Sequence, residues 1–118
     1  MRLLFLCLLL LLSGCLSLSL LPRDHDSVLA GAYVDTKLQI NILSCQDKKI
    51  DEWVKAIHYA AYVKEYTMLR DDPQKKTADG IPENLQKALD AENEKVCGHW
   101  LKLTDSRMKA LETAWSGR

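Results

Sequence analysis

Asp51-Glu52-Trp53-Val54-Lys55-Ala56-Ile57-His58-Tyr59-Ala60-Ala61-Tyr62-Val63-Lys64-Glu65-Tyr66-Thr67-Met68-Leu69 decides the fold. Trp53, Val54, Ile57, Ala61 and Met68 form one apolar sector at helical spacing, and Tyr59, Tyr62 and Tyr66 line a second at intervals of three and four. Asp47 or Asp51 offers an N-terminal cap, and Asp72-Pro73 lies beyond the end. A helix with two apolar sectors either packs on both sides or buries one side and presents a tyrosine ridge to another protein, because tyrosine combines a large apolar ring with a polar tip.

Upstream, Asp26 or Ser27 can accept the orphan amide hydrogen bonds of a first helix. Ala30, Val34, Leu38 and Ile42 recur every fourth residue, and Cys45 extends that stripe, which is expected to face the core. Leu38, Ile40 and Ile42 also alternate, so a strand over residues 36–43 is the competing reading. Downstream, the polar run from Asp71 to Gly80, with Pro73 and Asp79-Gly80, predicts a solvent-facing connection. Pro82 suits the first turn of a further helix carrying Leu85, Leu89 and Val96, with Glu83 and Lys87 as a surface pair. Gly98 either breaks that helix or dents it, and Thr104 offers a cap for a last segment with Met108, Leu111 and Trp115. The expected fold is all-α, a small three- or four-helix bundle.

The amino terminus carries different information. Ten uninterrupted apolar residues, Leu3 to Leu12, follow Arg2, about half of the ~20 that a membrane-spanning helix needs. They lead into Leu12-Ser13-Gly14-Cys15. That run resembles the lipobox of bacterial lipoprotein precursors. The resemblance implies a cleaved signal peptide over residues 1–14, a diacylglycerol on the thiol of Cys15, and a third acyl chain, such as palmitate, on the new amino terminus in many Gram-negative bacteria. It also implies a lipid-anchored protein of the bacterial cell envelope. Leu16, where the family's inner-membrane retention signal has Asp, implies the periplasmic face of the outer membrane if the organism is Gram-negative. Residues 15–25 then form a lipidated tether and residues 26–118 the helical domain.

Losing Arg2 with the leader takes the 16 Lys and Arg to 15, against 16 Asp and Glu, so the mature part is close to neutral. Signs alternate locally, and no basic field exists to attract nucleic acid. Cys7 leaves with the leader and Cys15 carries lipid. Cys45 and Cys97 are then the pair left in an oxidising compartment, and a disulfide between them is expected.

Little points to a reaction. His25 sits between Asp24 and Asp26 on the tether, which does not preorganise a metal site. His58 reads as a core-edge residue, and Cys97 and His99 diverge on a helix. No phosphate-cradling or dinucleotide motif occurs. The expectation is a noncatalytic adaptor, chaperone or assembly factor without cofactor or metal. It would bind lipid through Cys15 and an envelope protein through Tyr59, Tyr62 and Tyr66, with Trp53 supporting the fold. Its architecture is similar to that of the pilot lipoproteins that escort secretion channels, an analogy resting on no shared motif. The competing classes are a structural envelope lipoprotein and, third, a small envelope enzyme.

Overall fold

Four helices follow one another in the computed structural model, which describes residues 26–116: α1 (Ser27–Asn41), α2 (Ile50–Leu69), α3 (Lys75–Asp90) and α4 (Glu94–Trp115). There is no strand among the described residues, and 36–41 belong to α1. The expected leader, Cys15 and the 15–25 tether lie outside the described residues. Each helix packs on the next in sequence, antiparallel, giving an up-down-up-down four-helix bundle.

Asp26 starts α1, its Oδ1 accepting the amides of Val28 at 3.0 Å and Leu29 at 3.1 Å. Neither Asp47 nor Asp51 caps α2. Lys49 holds the cap position without a side-chain bond, while Asp51 and Glu52 sit in the first turn, where the helix dipole favours negative charge. After Leu69 the Asp72 amide donates to the Thr67 carbonyl and the Asp71 amide to Met68. That Schellman closure places Asp71 at φ 50°, a left-handed conformation that Asp tolerates better than most residues. Asp72 is itself buried and accepts the Gln74 amide at 2.8 Å and the Trp115 indole N–H at 3.3 Å.

The connection expected from Asp71 to Gly80 is therefore only a short turn, with α3 beginning at Lys75. Gly80 and Pro82 lie inside α3 because Ala78, Ile81 and Leu85 bury against the neighbouring helices, and that packing outweighs two poor helix formers. Gly80 is there for close approach: a Cβ would lie 2.3 Å from Cζ of Arg107, whose guanidinium crosses α3 and donates to the Thr77 carbonyl at 3.2 Å. Gly98 neither breaks nor dents the Pro82 helix: that helix ends at Asp90, and residues 91–93 separate it from α4. There Asn93 accepts the Val96 amide at 2.9 Å, and α4 runs through Gly98 without interruption. Thr104 caps nothing; it is buried, its hydroxyl donating to the Trp100 carbonyl at 2.9 Å.

The main core joins Leu29, Ala56, Ala60, Val63, Ile81, Leu85, Met108 and Leu111. A smaller cluster of Trp53, Ala88 and Cys97, with Leu43, Cys45 and Trp100 against it, fills the end where α1 finishes and α4 begins. There Cys45 and Cys97 form a disulfide with Cα atoms 5.9 Å apart. The opposite end holds Asp26, the α2–α3 turn and Trp115. Trp53, with none of its surface exposed, supports the fold; its indole N–H has no hydrogen-bond partner among the described residues.

Candidate functional site

The α1 helix is buried on the face that sequence spacing assigned to water. Leu29 and Thr36 are buried, and Tyr33 and Ile40 pack partly against the core, an i, i+3, i+4 set. Ala30, Val34, Leu38 and Ile42 consequently do not face the core. Val34 is 50 % exposed, Leu38 60 % and Ile42 54 %, one aliphatic row at intervals of four. The buried face escaped notice because it includes a threonine. The Thr36 hydroxyl donates to the Ala32 carbonyl at 2.7 Å, so a polar residue enters the core with its hydrogen bond satisfied inside its own helix.

Beside that row, Val28, Gly31 and Asp35 of α1 and His58, Tyr59 and Tyr62 of α2 line an open groove. A Cβ added at Gly31 would meet nothing within 4 Å, so the wall is low at that point. The three tyrosines share one side of α2 but have unequal roles. Tyr66 is held by the fold, its hydroxyl donating to Asp26 Oδ2 at 3.0 Å. Its ring stacks on Tyr62, with centroids 6.1 Å apart and planes within 15°. Tyr59 is half-buried beneath the Lys55 ammonium, 6.0 Å from its ring centre. Tyr62 presents the most ring to water, at 49 % exposure.

The apolar sector expected on α2 is displaced too. Its buried line is Trp53, Ala56, Ala60, Val63 and Thr67, whereas Val54 and Met68 are exposed. Small alanines let neighbouring helices approach, which a search for large apolar residues passes over. His58 is exposed in the groove rather than at a core edge, and His99 is exposed on α4 with its ring against Trp100.

Electrostatics here are structural. Burial works against the charge of Asp26, but the Leu29 amide, the Tyr66 hydroxyl, the Arg70 guanidinium and the Val28 amide together hold its carboxyl below the usual range. Tyr33 reaches across to α4, donating to the Met108 carbonyl at 3.2 Å and to Glu112 at 3.1 Å. Burial, then the Glu112 hydrogen bond and charge, push its phenol up to about 12. A second groove between α3 and α4 holds groups already engaged: Lys87 pairs with Glu83 at 3.0 Å and stands 4.6 Å from the Trp100 ring centre.

No group of three or more His, Cys, Asp or Glu that could hold a metal occurs among the described residues. Within the same residues, no helix is long and apolar enough to cross a membrane. Neither a protein-family model nor a curated protein nor a solved structure matches the chain.

Proposed function

We propose that the chain is the precursor of a lipid-anchored envelope protein acting as a noncatalytic adaptor, chaperone or assembly factor, with the α1–α2 face as its docking surface for another protein. The observation that carries this reading is the row Val34, Leu38 and Ile42 exposed beside the groove that holds Tyr62. Single exposed aliphatics are ordinary, but an aligned row next to an aromatic-lined groove matches the way an amphipathic helix is received. Acylation at Cys15 would confine such encounters to one membrane, since two or three chains hold where a single chain binds only reversibly.

In-cell crosslinking of the intact protein, compared with Leu38→Asp and Tyr62→Ala, tests the docking surface. Both side chains are at least half exposed or nearly so, and circular dichroism and melting should match the wild type. A specific partner that disappears with either change is expected. If no saturable partner is captured, the structural envelope lipoprotein replaces this reading. Intact-mass analysis with detergent fractionation tests the anchor: a lipid-bearing mature chain beginning at Cys15 is expected, and Cys15→Ala should lose both the acyl mass and the membrane fraction.

A further inference from the structure

Leu69 ends α2 with 85 % of its surface exposed, and Met68 before it is 51 % exposed. The next residue, Arg70, pairs with Asp26 through its guanidinium, and Asp26 is also bonded to Tyr66 one turn back. The chain N-terminal to the bundle therefore leaves it beside Leu69. Arg70, Lys75 and Lys76 follow Leu69 within seven positions, interspersed with Asp71 and Asp72; Arg70 pairs with Asp26 and Lys75 with Asp71, while Lys76 is exposed.

We infer that the Met68–Leu69 turn is a lipid-contacting tip, seated in the interfacial region of the membrane that holds Cys15. The inference rests on the acylation reading. Its occupant follows from where the chain runs. From Cys15 to Asp26 an extended backbone spans at most about 40 Å, at ~3.3–3.6 Å per residue. The bundle is about 30 Å long, from ~1.5 Å per residue over the 20 residues of α2. Bringing the disulfide end to the lipid would use up about 30 Å of that ~40 Å reach along the domain, whereas the Asp26 end uses none of it. At that end the aliphatic tip meets the acyl boundary and the stem of the exposed Lys76 reaches lipid phosphates. The Cys45–Cys97 end then points away from the bilayer.

The acylated full-length Leu69→Trp chain, reconstituted in vesicles of phosphatidylethanolamine and phosphatidylglycerol with or without acyl-brominated lipid, tests the tip. Emission above the wild-type baseline should fall at least twofold with brominated lipid, while that added by Val96→Trp at the opposite end should not change. Unquenched emission from the first variant, with the Cys15 acyl mass confirmed, overturns the tip and leaves the anchor standing. A blue shift without quenching means protein cover and also overturns it, as does equal quenching at both positions. Should mass analysis find Cys15 unmodified, the anchor fails separately. The tip is then tested by binding of the soluble chain to the same vesicles: at least tenfold weaker binding by Leu69→Asp supports it, and no binding by the wild type overturns it.

Discussion

The ammonium of Lys48 lies 2.9 Å from the carbonyl oxygen of Ala91 and 3.0 Å from those of Ala88 and Leu89. A residue of the α1–α2 loop thus caps the last turn of α3 with three charge-assisted hydrogen bonds, where the helix dipole favours a cation. Lys48→Met keeps most of the stem and removes the charge. It should lower stability by about 2 kcal/mol, the range for hydrogen bonds to a charged group. In urea unfolding the midpoint should fall with an unchanged slope, whereas Lys49→Met, at an exposed neighbour, should stay within about 0.5 kcal/mol.

Opening the Cys45–Cys97 disulfide, which spans 52 residues, should destabilise the bundle by about 4 kcal/mol in the loop-entropy picture. For a domain of this size that corresponds to a melting temperature lower by roughly 15 °C or more. Thermal unfolding of the Cys45→Ser, Cys97→Ser double variant beside the oxidised chain measures it directly.

Acid should find Asp26 early. A carboxyl whose folded pKa is depressed contributes stability above its unfolded pKa of about 3.9 and loses it as pH falls through the lower folded value. Asp26→Asn can still cap α1 but cannot pair with Arg70, so the variant should be less stable at pH 7. The difference from wild type should shrink below about pH 4, as followed by chemical unfolding at a series of pH values.

Alkali should find Tyr33. Its folded pKa is raised to about 12 from about 10, so its contribution is complete below pH 10 and declines as pH rises toward 12. Tyr33→Phe should lower stability at pH 8, and that deficit should narrow between pH 10 and 12. The difference between the two proteins isolates the phenol.

Gly80 and Arg107 should be coupled. Gly→Ala inside a helix ordinarily stabilises by about 1 kcal/mol, but here the new methyl displaces the guanidinium from the Thr77 carbonyl. Gly80→Ala should therefore gain little in the wild type and the full amount in an Arg107→Ala background. A double-mutant cycle of unfolding free energies reads the coupling.

Much of the architecture was legible in residue order. The α2 helix was evident from its own apolar spacing, and the all-α class followed; the cysteine pair followed once Cys7 and Cys15 were set aside. Helix faces were less legible. Thr36, Thr67 and Thr104 are all buried, each hydroxyl donating to a carbonyl of its own helix, so three core positions carry polar side chains. On α1 that shifted the apparent stripe onto Val34, Leu38 and Ile42, which turned a supposed core line into the candidate surface. Gly80 and Pro82 misplaced the start of α3 because their reason for lying in a helix is Arg107 and the buried neighbours, distant in sequence. Of the tyrosines, spacing placed all three on one side, but it took the Asp26 bond to separate Tyr66, which holds the fold, from Tyr62, which faces water.

The disulfide also sets how the domain yields to mechanical load. Between Cys45 and Cys97 the chain is a closed ring that contains all of α2 and α3, with α1 and nearly all of α4 attached as two arms. A pull on the backbone ahead of Asp26 is resisted first by Arg70 and Tyr66 and then by the packing of α1 on α2. Unravelling from that side can strip α1 but stops at Cys45, where a covalent bond takes up the tension. Most of the bundle is thereby shielded from traction on its amino terminus.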